Sequence, residues 1–183
     1  GLMVAECDRD LGADAPSLED LQAHAREHIA GYKVPRQVTV VDAVHRTAVG
    51  KAPRGAFRNT RPDDLLAHAL KGVLADAPGI DPKRIDDAVI GCAMPEAEQG
   101  MNVARIGVLL AGLPDMVSAV TINRFCGSSM QAIHDAAGAI ARGAGEVFVC
   151  AGVESMTRVP MMGFNPLPNP ALNERLPGAY IGM

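Results

Sequence analysis

Apolar and polar positions alternate in two rhythms from about residue 60 onward, and the change between them predicts an α/β fold. Leu65, Leu66, Ala69, Leu70, Val73 and Leu74 recur at helical spacing and make a broad apolar stripe. Thr60-Arg61-Pro62-Asp63 ahead of them has the form of a capping box, and Ala77-Pro78-Gly79 interrupts the pattern behind them. Short apolar runs at 88–91, 117–122 and 147–151 read as strands. Segments 102–113, closed by Pro114, and 128–143 read as helices. Strands alternating with helices predict a mostly parallel sheet, and strands this uniformly apolar predict helices on both of its faces. From Ser155 onward Pro160, Pro166, Pro168, Pro170 and Pro177 break any periodicity, so irregular loop is expected there.

The first fifty residues have a different character. Ser17-Leu18-Glu19-Asp20 is a capping-box pattern, and Leu18, Leu21, Ala25 and Ile29 share one face behind it. Gly31 stands where that helix would stop, and a β-rich run follows from Val38 to Val41. A small α+β unit is expected, separate from the α/β unit.

Composition narrows the function. A net charge of −4 and 3% aromatic residues give no basic, stacking surface for nucleic acid. Four cysteines without Cys-x-x-Cys or mixed Cys/His spacing argue against zinc and against a disulfide framework, so no metal is expected. A reduced, cytoplasmic setting follows from the same cysteines, with no membrane span and no signal-peptide pattern.

Chemistry concentrates at Cys126. It falls where the strand 117–122 turns into the helix from Ser128, beside a helix N-terminus whose free N–H groups and positive dipole end favour a thiolate. Gly127, Ser128 and Ser129 leave room for a bulky ester to approach. The residue types alone allow two readings equally: a nucleophile, or a small buried residue at a tight turn. Cys92 and Cys150 lie in or at the ends of apolar runs and are expected to pack in the core. His134 either approaches Cys126 or, more in keeping with its type, packs. Glu154 either supports the site from behind or bonds its own turn. Met156, Met161 and Met162 either line an acyl channel or fill gaps.

The string Asn123-Arg124-Phe125-Cys126-Gly127-Ser128-Ser129-Met130-Gln131-Ala132 resembles the nucleophile segment of thiolases, in particular the degradative 3-ketoacyl-CoA thiolases. Pro53–Phe57 with Thr60–Leu65, Gly91-Cys92 with Glu98–Arg105, and Ala151–Met161 agree with further segments of that family in the same order. The resemblance covers 53–183. It implies a thiolase-like N-terminal domain at 53–154, with a mixed, mostly parallel sheet, and the start of the family's CoA-contacting loop region at 155–183. It implies Cys126 as the acyl-thioester nucleophile, coenzyme A as substrate with no permanently bound cofactor, and a homo-oligomer or a pairing with a thiolase protomer.

Gly31–Arg36, the run 38–41 and Arg46-Thr47-Ala48-Val49-Gly50-Lys51 resemble instead the C-terminal lid of acyl-CoA synthetases, covering 1–52. In that family the last lysine of the loop assists adenylation, and Lys51 holds its position. A cation on a mobile loop neutralises charge developing on phosphate; an exposed, solvated lysine is the plainer reading. Val41-Asp42-Ala43-Val44-His45-Arg46-Thr47 has one residue more than the thiolase form, which places a joint within 46–52.

The thiolase resemblance also implies a second cysteine from Cys-x-Gly, a histidine from Gly-His-Pro and an asparagine from Asn-Glu-Ala-Phe. None of these motifs occurs in the 183 residues, and His24, His28, His45, His68 and His134 lie in other contexts. The expectation is therefore an acyltransferase segment of thiolase type, incomplete as it stands. Two other readings stay open: a non-catalytic piece that binds a full thiolase protomer, and a synthetase lid piece with a passenger sequence.

Overall fold

A computed structural model of the chain describes residues 2–6, 37–41 and 56–180. Leu2–Glu6 (β1) and Gln37–Val41 (β2) pair in parallel, with Leu2 opposite Gln37 and Glu6 opposite Val41. The β-rich run at 38–41 is thus a strand. The helix expected behind Ser17, the loop ending at Lys51, and Cys7 lie outside the described residues.

From residue 56 the chain forms an α/β unit. Its helices are Pro62–Asp76 (α1), Val103–Ala111 (α2), Ser128–Ala141 (α3) and Pro170–Arg175 (α4). Its strands are Asp87–Gly91 (β3), Ser118–Ile122 (β4) and Phe148–Gly152 (β5), in the order β4-β3-β5. Both pairings are parallel, with Asp87 opposite Ser118 on one side and Phe148 on the other.

This order decides where the helices go. The crossover from β3 to β4 moves one way across the sheet, and the crossover from β4 to β5 moves back past β3. Right-handed connections then put α2 and α3 on opposite faces. The side chains agree. Ala88, Ile90 and Cys92 join Leu66 and Leu70 of α1 and Val103, Ala104 and Val108 of α2 in one buried cluster. On the other face α3 lies against β3 and β5, and buries Ala132 and Ala136. β3 is central and covered on both faces, so it reads as unbroken apolar sequence. Each fully buried Leu here, such as Leu66 or Leu70, contributes about 1.5–3 kcal/mol by leaving water.

Two glycines let α3 approach the sheet. A Cβ at Gly91 would lie 2.5 Å from the carbonyl carbon of Ser128 and from the nitrogen of Ser129. A Cβ at Gly152 would collide with Ser129 Oγ. The first turn of α3 is therefore seated directly on the carboxyl ends of β3 and β5.

Two local expectations are corrected. Thr60 does not cap α1. Arg61 is the N-cap residue and its side chain makes no capping bond; it binds Asp63 in bidentate fashion, at 3.0 and 2.8 Å, and so removes that carboxylate from a capping box. The proline-rich tail is not all loop. Pro170 occupies the first turn of α4, where its missing N–H has no partner to lose, and Asn169 Oδ1 caps the Leu172 N–H at 3.2 Å.

Candidate active site

Successive helices leave β3 and β4 toward opposite faces, which makes the carboxyl ends of those two strands a topological switch point. Such switch points are where open α/β sheets bind ligands. The turn that follows β4 carries Cys126 at these strand ends. Phe125–Gly127 form a single 3-10 turn that leads directly into α3.

The turn is strained and fastened at both ends. Phe125 has φ +45°, a left-handed conformation that a bulky residue adopts only when its surroundings impose it. Asn123 Oδ1 accepts from the Phe125 N–H at 2.8 Å. Ser128 Oγ accepts from the Arg124 N–H at 2.8 Å and donates to the Phe125 carbonyl at 2.6 Å. Ser128 is buried and Cys126 is exposed. The reading of Cys126 as a small buried turn residue is thus excluded, and a thiol presented outward on a constrained turn remains. Arg124 beside it is bonded to Gln131, which in turn donates to Asp135 at 2.6 Å.

The other cysteines among the described residues, Cys92 and Cys150, behave as packing residues. Burial pushes the Cys92 thiol up to about 11, with the Glu154 carboxylate adding to the effect. Burial pushes Cys150 to about 11 as well, with Asp135 and Asp87 adding to it; its sulfur lies 3.4 Å from the Ala132 carbonyl. Neither is a thiolate at neutral pH. His134 is exposed on α3, so it does not serve core packing.

Behind Cys126 the segments following β3 and β5 are joined by polar contacts that local pattern does not reveal. Gln99 is fully buried; its Nε2 donates to Glu154 Oε1 at 2.6 Å and to the Met94 carbonyl at 2.8 Å, and its Oε1 accepts from the Ser155 N–H at 2.6 Å. Glu154 Oε2 accepts from the Ala93 N–H at 2.7 Å, so its carboxylate spans to the next strand end instead of bonding its own turn. Glu98 receives both Arg158 and Arg61, the latter at 3.2 Å. The Arg158 hydrogen bond holds the Glu98 carboxyl below its ordinary value. Glu96 Oε2 accepts from the Phe164 N–H at 2.7 Å. Three carboxylates thus pin the 154–164 stretch. Met156, Met161 and Met162 on it are more than half exposed, so they do not fill gaps in a core.

Among the described residues no group of His, Cys, Asp and Glu side chains is placed to hold a metal ion, and no helix is long and apolar enough to cross a membrane. Lys51 lies outside the described residues.

Residues 38–173 match the family model described as the thiolase N-terminal domain. The chain belongs to the thiolase family. The 3-ketoacyl-CoA thiolase of Aeromonas hydrophila is 51% identical over 126 residues, which are 69% of this chain and 32% of that protein. The enzymes of the same name from Pseudoalteromonas translucida and Vibrio cholerae are each 53% identical, over 122 and 124 residues. These cover 67% and 68% of this chain, and 31% and 32% of the relatives. The chain thus spans about a third of the length of the curated relatives it matches. The thiolase model begins at residue 38, so it also takes in the stretch where the synthetase-like and thiolase-like patterns overlap.

Proposed function

We propose that the chain supplies the nucleophile of a thiolase-type acyl transfer, cleaving a 3-ketoacyl-CoA with coenzyme A in fatty-acid degradation. The observation that carries this is the exposed Cys126 on its strained turn at the switch point of the sheet. The Cys126 thiolate attacks the 3-keto carbon and the bond between carbons 2 and 3 breaks. The electron pair leaves with acetyl-CoA as its enolate, which then takes up a proton. Coenzyme A thiolate next attacks the acyl-cysteine, and acyl-CoA departs as the Cys126 thiolate returns. Sulfur suits both halves, since a thiolate of modest pKa attacks well and leaves well.

The general acid–base histidine and the second cysteine have no counterpart motif among the 183 residues. This reading therefore assigns to them the nucleophile and its setting, and not the proton transfers. Coenzyme A is a substrate, no cofactor is held permanently, and the working form is a homo-oligomer or a pairing with another thiolase protomer in the cytoplasm. Residues 1–52 we read as related to the acyl-CoA synthetase lid, on the Arg46–Lys51 motif, with Lys51 silent in the acyl transfer.

The test is isotope exchange. Acetyl-CoA and labelled free coenzyme A, incubated with the chain, exchange label through an S-acetyl-Cys126 form. Exchange that disappears in Cys126→Ala supports the reading, and exchange that survives in Cys126→Ala contradicts it. Lys51→Ala is expected to leave the exchange unchanged.

A further inference from the structure

The Cys126 turn is tied to a carboxylate two strands away. The Phe125 N–H is held by Asn123 Oδ1 at 2.8 Å, and Asn123 Nδ2 donates to the Ala93 carbonyl at 3.0 Å. The Ala93 N–H donates to Glu154 Oε2 at 2.7 Å. Ala93 is thus gripped from both sides, by the turn after β4 through its C=O and by the segment after β5 through its N–H. Glu154 is itself aimed by the fully buried Gln99, whose amide donates to its other oxygen at 2.6 Å.

We propose that Glu154 is a positioning residue for Cys126, acting through Ala93 and Asn123 to hold the Phe125–Cys126 turn in its strained form. The proposal deepens the acyl-transfer reading, because it concerns the same cysteine. The chemistry of the link explains why a carboxylate stands at 154. Both of its partners are donors, and an ionised carboxylate accepts on both oxygens and makes the stronger charge-assisted bonds. A carboxamide accepts on one oxygen only, so it would set an N–H against either Gln99 or Ala93. Asn123 is likewise specific: its donor side faces Ala93 and its acceptor side faces Phe125. The strain at Phe125 persists because these bonds over-determine the turn.

Residue-resolved hydrogen exchange on the full 183-residue chain tests the link without relying on activity. In Glu154→Gln the amides of Ala93 and Phe125 are expected to exchange about tenfold faster or more, the loss of one charged hydrogen bond. Amides in the middle of α3, such as those of Ala132 and Ala136, keep their rates. A general loss of structure would move all of these together. Asn123→Asp keeps the acceptor for Phe125 and removes the donor to Ala93, so it cuts the link in the middle. In that background Glu154→Gln is expected to speed Ala93 and leave Phe125 where Asn123→Asp put it. Unchanged Phe125 exchange in Glu154→Gln, or additive effects of the two substitutions at Phe125, overturns the proposal. Failure of coenzyme A exchange in the unmodified chain overturns the acyl-transfer reading instead, and leaves the Phe125 measurement to decide the link.

Discussion

Adding one methyl group at Gly91 tests how the sheet holds the cysteine. A Cβ there would lie 2.5 Å from two backbone atoms, the Ser128 carbonyl carbon and the Ser129 nitrogen, and 2.8 Å from Ser128 Cβ. Non-bonded carbon atoms rest about 3.5–4.0 Å apart, so the first turn of α3 must retreat from β3 by about 1 Å. No rotamer change relieves a clash with backbone. Overpacking of this kind costs about 1–3 kcal/mol. At a urea m-value of about 2 kcal/mol/M the unfolding midpoint of Gly91→Ala falls by roughly 0.5–1.5 M. The site moves with the helix, because buried Ser128 holds both the Arg124 N–H and the Phe125 carbonyl. Acyl exchange through Cys126 therefore drops along with stability. Gly79→Ala is the control: nothing lies within 4 Å of an added Cβ there, so its midpoint holds or rises. Equal midpoints for Gly91→Ala and the unmodified chain, with exchange at the unmodified rate, would refute this account of the packing.

Other outcomes follow from the same geometry. A limiting alkylating reagent at neutral pH labels exposed Cys126 ahead of Cys92 and Cys150, whose thiols burial pushes to about 11; peptide mapping reads the order, and equal labelling of the three contradicts it. The Glu98–Arg158 pair gives acid sensitivity to the 154–164 stretch. Folding lowers the Glu98 value, so its contribution is complete above the unfolded Glu value of about 4.3 and is lost as pH falls through the lower folded value. Glu98→Gln is therefore expected to lose stability relative to the unmodified chain at pH 7 and to converge with it in acid; a difference that persists undiminished in acid counts against the pair. Arg158→Ala removes the same partner, so in a double-mutant cycle with Glu98→Gln the two changes are expected to fall short of additivity at pH 7.

Much of the α/β unit was legible because its signals are local. The helical stripe from Leu65 to Leu74, the apolar runs of β3, β4 and β5, and Pro114 behind α2 mark their own elements. Cys126 at a strand-to-helix turn was legible for the same reason. Its exposure was not, since a small residue at a tight turn is outward or inward according to what packs behind it. Here Gly91 and Gly152 let the first turn of α3 sit close against the strand ends, with Ser128 buried and the cysteine left exposed. The contacts of Glu154 with Ala93, of Arg158 with Glu98 and of Phe164 with Glu96 join residues about sixty apart, and they exist only because β3 lies between β4 and β5. No periodicity announces a strand order. The capping pattern at Thr60 misled because Arg61 competes for Asp63, and the prolines after Ser155 hid α4 because proline also opens helices.

The central claim is that Cys126 accepts an acyl group from coenzyme A thioesters, and trapping that group tests it most directly. The chain, incubated with isotopically labelled acetyl-CoA, is quenched in acid and digested, and the peptides are analysed by mass. One acetyl group on Cys126, removed by added coenzyme A and absent from Cys126→Ser, is the predicted result. No acetylation, or acetyl groups on Cys92, Cys150 or lysines with Cys126 unmodified, would contradict the account.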